Sequence, residues 1–161
     1  MDDSVAMLQS VDGSPEVNGR RHWMGLLARA ALDELEQGIG ALPPPAHEWL
    51  RRPETGLFML RGRIGGTGDR FNLGEVTVTR CALRLATGET GVAYVRGRSH
   101  RHAELAALAD ALLQSPLHRE AAQQTLIAPL ERSAESARMR MQQQAQSTRV
   151  EFFTVAREAS A

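Results

Sequence analysis

The fold class this sequence predicts is α+β: an antiparallel meander of three or four strands, packed with helices from both the N- and C-terminal parts of the chain. Three observations lead there. Helical spacing of apolar residues begins near Arg21 and resumes after Ser99. Between them lie three segments of period-two alternation. No helical stretch separates successive segments, which leaves hairpin connections and excludes parallel crossovers. A length of 161 residues suits one domain and can bury roughly two-thirds of its unfolded surface.

Residues 1–19 read as a flexible tail, rich in Asp, Ser, Gly, Pro and Asn without a sustained period. Residues 20–157 form the single domain, and 158–161 a C-terminal tail. From Arg21 the apolar positions Trp23, Leu26, Leu27, Ala30 and Ala31 define one helix, stopped by Gly38 and Gly40. Pro43-Pro44-Pro45 is a stiff connector, and a short helical turn over Ala46–Arg51 is expected before Pro53. Strand one spans about Thr55–Ile64, strand two Glu75–Leu85 and strand three Gly91–Arg98. A long glycine-rich loop, Gly65–Gly74, joins the first two. Ala86–Thr90 joins the second and third.

Ser99 is placed to cap a helix running to Gln114, with Leu105, Ala106, Leu108, Ala109, Leu112 and Leu113 on its apolar side. Pro116 can open a second helix. Pro129 precedes a third, Leu130–Gln146, which carries little apolar surface. Val150–Val155 is strand-like and holds Phe152 and Phe153, read either as a fourth strand closing the core or as a docking arm for another subunit.

The formal net charge is zero, yet it is unevenly distributed. Residues 1–50 carry 3 arginines against 8 acids, residues 51–101 carry 10 against 4, and residues 102–161 carry 6 against 7. There is no lysine, so every one of the 19 basic side chains is a guanidinium, the group suited to bidentate capture of carboxylate or phosphate. Neutrality and only 4% aromatic residues argue against a nucleic-acid binder. The single cysteine, Cys81, excludes an internal disulfide and a multi-cysteine metal site. No apolar run approaches the roughly 20 residues of a membrane span, and the acidic start lacks a secretory signal pattern. A cytoplasmic protein without membrane contact is expected.

Period two places Arg61 and Arg63 on one face of strand one, Arg80 and Arg84 on one face of strand two, and Arg96 and Arg98 on one face of strand three. Were the three faces to coincide, six guanidinium groups would share one side of the sheet. Such crowding needs an acidic partner or a phosphate-bearing ligand, unless the chain's own acids solvate it. Gly65-Gly66-Thr67-Gly68-Asp69-Arg70 lacks the lysine and following helix of a P-loop. It reads as a hairpin loop needing positive φ, or as a loop that orders around an anion through its amides and Arg70. His100, His102 and Glu104 cannot converge on one tetrahedral ion from a single helix, so no metal site is expected. No nucleophile or acid–base constellation appears, and no catalytic residue is assigned.

Several segments, in this order and spacing, resemble the PhnG family, a subunit of bacterial carbon–phosphorus lyase. They are His22-Trp23-Met24, Glu54-Thr55-Gly56-Leu57, Arg63 through Phe71, Thr79-Arg80, Gly97-Arg98 and His102-Ala103-Glu104. Asp110-Ala111-Leu112, Thr125 through Leu130 and Arg149 through Thr154 complete the set, covering about residues 20 to 157. His100 lies outside these segments. The resemblance implies an accessory, structural subunit of a multi-subunit transferase in phosphonate catabolism. That enzyme displaces adenine from ATP by methylphosphonate, giving α-D-ribose 1-methylphosphonate 5-triphosphate, and requires PhnH, PhnI and PhnL. The resemblance further implies a symmetric core with PhnH, PhnI and PhnJ, two copies of this chain, and PhnK and PhnL as associated ATP-binding-cassette-type proteins. No cofactor is expected on this chain: the iron–sulfur cluster and S-adenosylmethionine belong to PhnJ. An alternative is a module that holds the triphosphate directly on its arginines.

Overall fold

A computed structural model describes residues 15–43 and 45–147 of the chain. Helix α1, Pro15–Leu27, starts six residues before the helical pattern predicted from Arg21, with a proline at the first helical position where no N–H is needed. The single predicted helix is in fact two. Ala31 is extended, and α2, Leu32–Gly40, begins after it. The break lets Leu27 and Leu35, both fully buried, enter the core from differently directed helices. His102 stabilises it, because its Nε2 donates to the Leu27 carbonyl at 2.8 Å, one of the acceptors that a helix end leaves unpaired. An unbroken run of helix-forming residues concealed this turn.

Strand β1 runs His47–Arg63, β2 Arg70–Leu85 and β3 Thr90–Arg96, in the order β1-β2-β3 with both pairs antiparallel. The predicted meander is therefore present with three strands; the fourth candidate, Val150–Val155, lies outside the described residues. The helical turn predicted over Ala46–Arg51 is instead strand. His47, Glu48 and Trp49 pair with Leu85, Arg84 and Leu83. Pro53 is tolerated because β1 is an edge strand and the ladder is irregular between Arg51 and Glu54. Strand two also starts five residues early, so the tight Ile64–Asp69 turn replaces the long loop. Gly65 and Gly66 take φ of 58° and 79° there.

One face of the sheet carries Thr79, Cys81, Leu83, Leu85, Ala93 and Val95, all buried. Helix α3, His100–Gln114, covers it. Ser99 caps α3 as predicted, its Oγ accepting the His102 N–H. The approach of α3 is close: a Cβ built on Gly91 would lie 1.9 Å from the Ala107 carbonyl oxygen. After α3 the chain winds through α4, Arg119–Ala122, and a widened π turn over Gln123–Ile127 into α5, Ala128–Ser147. No separate helix opens at Pro116. The widened turn carries the helical path past Pro129, which cannot donate an amide. Within α5 only Leu130 is buried, in keeping with its polar sequence.

Candidate functional site

The sheet's most unusual feature is a ribbon that outruns its own core. β3 pairs with β2 only from Val78 to Arg84, so among the described residues Arg70–Val76 has β1 as its sole partner. Leu57–Arg63 and Arg70–Val76 thus project as a two-stranded arm of about 24 Å at about 3.4 Å per residue. Paired residues share a face, which gives the arm two distinct surfaces. One continues the outer sheet face through Phe58, Leu60, Phe71 and Val76. Phe58 meets Tyr94 edge-on at 5.9 Å. An extra residue in β2 at Leu73 breaks the register, and Gly62 makes room for it; a Cβ there would meet Leu73 at 3.0 Å. The other surface continues the helix-covered face through Leu57 and Met59 to Arg61, Arg63, Arg70 and Asn72. The helices end short of it, leaving Leu57 63% exposed; Leu73 on the first surface is equally open, and Ile64 at the tip is 75% exposed.

The predicted arginines divide between these surfaces. Arg80, Arg84 and Arg96 lie on the outer face. Arg61 and Arg63 lie on the opposite one, with Arg70 directly across from Arg63. Six guanidiniums therefore do not share one side. The β1–β2 register decides this: Thr55 pairs with Thr79 and Leu57 with Thr77, so the alternate β1 residues that include Arg61 and Arg63 share the helix-covered face of Thr79, opposite Arg80. Arg98 follows β3 beyond Gly97 and is exposed. On the outer face Arg80 pairs with Glu54 at 2.7 Å and Arg84 with Glu48 at 3.6 Å. Hydrogen bonds from Arg51 and Arg80 hold the Glu54 carboxyl below its usual range. At the arm's end Arg63 donates to the Gly68 carbonyl at 3.1 Å. No acid within ion-pair distance accompanies Arg61, Arg63 or Arg70 among the described residues. Phe152 and Phe153 lie outside the described residues.

A relay of hydrogen bonds anchors the arm where it leaves the core. The Thr79 hydroxyl donates to the Gly97 carbonyl at 2.7 Å, so it accepts from Thr55 at 2.9 Å. Thr55, having given its proton, accepts from His100 Nε2 at 3.1 Å. Direction is thereby set from α3 through β1 and β2 to the end of β3. A second anchor centres on Asp110, fully buried within α3. Its carboxylate accepts from Arg20 Nε at 3.1 Å and Nη2 at 2.8 Å, Trp23 Nε1 at 2.9 Å and the Val92 amide at 3.0 Å. The neighbouring cleft, about 670 Å³, is lined by Arg20, Arg119 and Gln114, but Arg20 serves Asp110 and Arg119 donates to the Leu113 carbonyl. Cys81 donates to the Ala103 carbonyl at 3.1 Å, and burial pushes its thiol up to about 12.

Neither anchor was singled out in the sequence as a site, although a lone carboxylate within Ala-Leu-Ala-Asp-Ala-Leu-Leu is a signal of a buried ion pair. The arm had a signal too: Leu57-Phe58-Met59-Leu60 puts apolar side chains on both faces of one strand. Among the described residues no group of three or more His, Cys, Asp and Glu side chains could hold a metal ion, and no helix is long and apolar enough to cross a membrane.

Residues 18–158 match the family model described as phosphonate metabolism protein PhnG. The chain belongs to the PhnG family. It is also 45% identical over 139 residues to the alpha-D-ribose 1-methylphosphonate 5-triphosphate synthase subunit PhnG of Rhizobium meliloti (strain 1021). That alignment spans 86% of this chain and 88% of the relative. The PhnG-like segments, scattered in sequence, meet in space. His22-Trp23-Met24 joins Asp110-Ala111-Leu112 through the buried carboxylate, and Glu54-Thr55, Thr79-Arg80 and Gly97-Arg98 join through the threonine relay.

Proposed function

We propose that this chain is the PhnG subunit of α-D-ribose 1-methylphosphonate 5-triphosphate synthase and that it serves as an accessory, structural subunit. The 45% identity, carried across nearly the whole length of both chains, is the observation that supports the synthase assignment. The accessory role is supported by how the polar side chains are used. Asp110, Thr79 and Cys81 are committed to hydrogen bonds that hold elements together, while the exposed surface carries apolar side chains and arginines with no acid of the described residues in ion-pair distance, both suited to contact. In this reading the reaction, displacement of adenine from ATP by methylphosphonate, proceeds on other subunits, with PhnI carrying the nucleosidase chemistry and PhnH and PhnL also required. Two copies of the chain sit in a symmetric cytoplasmic core with PhnH, PhnI and PhnJ, with PhnK and PhnL associated. This chain binds no cofactor; PhnJ keeps the iron–sulfur cluster and S-adenosylmethionine for a later step. Direct capture of the triphosphate by one arginine face is less well supported, because the arginines lie on opposite faces and two are paired with Glu48 and Glu54. The test is omission: the other subunits, mixed with ATP and methylphosphonate, should form α-D-ribose 1-methylphosphonate 5-triphosphate only when this chain is added, and the chain alone should form none. Full turnover without it would refute the role.

A further inference from the structure

Resting on the reading of the chain as a synthase subunit, we infer that the β1–β2 arm is an insertion device, seated in a cleft of a different subunit of the same enzyme. The cleft has apolar walls and is lined by carboxylates where the arm ends. The arm's construction supports each part of this. A two-stranded ribbon with both edges open is at best marginally stable in water, and among the described residues no element covers either face beyond Thr55 and Val78. Apolar side chains occupy both faces, with Leu57 and Met59 on one and Phe58, Leu60, Phe71 and Leu73 on the other. A flat surface would cover only one of them, so the complement is a cleft.

Charge selects the occupant. Arg61, Arg63 and Arg70 share a face at the arm's end with no acid of the described residues in ion-pair distance, and Arg63 opposes Arg70 directly across the ladder. Like charges so placed repel until carboxylates come between them. A second copy of this chain is a poor complement. Two-fold antiparallel pairing of arms would bring those three guanidiniums toward the partner's base, where Arg96 and Arg98 also have no acid of the described residues in ion-pair distance. A head-to-tail insertion would propagate an open filament unless its rotation closed.

The experiment titrates the full-length chain against the assembled remaining subunits of its synthase and reads affinity. The variants are Arg61→Glu with Arg63→Glu at the tip, Leu57→Asn with Met59→Asn along the arm, and Arg138→Glu on exposed α5 as control. Circular dichroism and melting of each free variant report folding, which the tip pair should not disturb because neither side chain enters the core. Each arm variant should bind about thirtyfold more weakly or worse, with the control unchanged. The unmodified chain should also lose affinity with added salt more steeply than the tip variant. Folded arm variants that bind like the unmodified chain would overturn the inference and leave the subunit reading intact. No binding by the unmodified chain would overturn the subunit reading itself. An arm-dependent self-association of the free chain, or an arm freed only by removing residues 148–161, would name a different occupant and refute this one.

Discussion

Asp110 sits in the middle of an Ala- and Leu-rich helix, where an unpaired carboxylate would be costly. Four donors from α1 and β3 make it instead the point at which three elements are joined. Asp110→Ala leaves the Trp23 and Val92 N–H groups without their acceptor and Arg20 without its counter-ion. The expected loss is about 3 kcal/mol, measured as a lower urea midpoint at constant m; a loss below about 1 kcal/mol would contradict the assignment. Cys81 gives a second check. A thiol raised to about 12 by burial stays protonated at neutral pH, so a thiol-specific reagent should label one cysteine in urea and essentially none in the native chain. Rapid native labelling would show the strand to be more open than described. Glu54 supplies a pH test. Its carboxyl titrates below the usual range because Arg51 and Arg80 hydrogen-bond the charged form. The stabilisation is therefore present above the ordinary carboxylate pKa and is lost as pH falls through the folded value. The difference in melting temperature between the unmodified chain and Glu54→Gln should be largest near neutrality and shrink as pH falls below the ordinary carboxylate range.

At the scale of elements, what decides the architecture is close approach and register. Gly91 lets α3 lie against β3, and the side chain of Gly91→Ala would collide with the Ala107 carbonyl and lie 2.8 Å from the Ala111 amide nitrogen. Backbone cannot step aside as a flexible side chain can, so the substitution should cost about 3 kcal/mol, at the upper end for overpacking. A melting temperature within a degree or so of the unmodified chain would argue against this packing. The same scale shows why reading the sequence succeeded in part. Alternation in Thr77–Leu85 and Val92–Arg96 is strict, so those strands and their buried faces were legible. The face of Arg61 and Arg63 relative to Arg80 was not, because a period-two count within each strand leaves the register between strands open, and it is the pairing of Thr55 with Thr79 that sets the two groups on opposite faces. The break after Leu27 was hidden for a similar reason: Ala28 through Ala31 suit a helix, and only the tertiary partners of Leu27 and Leu35 select the turn.

On the scale of the whole molecule, the uneven charge of the sequence resolves into a working division. The acids of the first third include Glu34 and Glu36 on α2, Glu36 lying 3.4 Å from Arg101, and Glu48, which neutralises an arginine of the sheet. The arginines with no acid of the described residues in ion-pair distance include three gathered at the end of an arm that has no core of its own. Helices, Asp110 and the threonine relay form a rigid base, and the arm is the part built for something outside the chain. Hydrogen–deuterium exchange, followed residue by residue in the free chain and in the assembled synthase, tests this most directly. Amides of Leu57–Val76 should exchange quickly in the free chain while Leu83, Val95 and α3 stay protected, and assembly should slow exchange chiefly in that arm. An arm that exchanges equally fast in both states, with new protection elsewhere on the surface, would contradict the account.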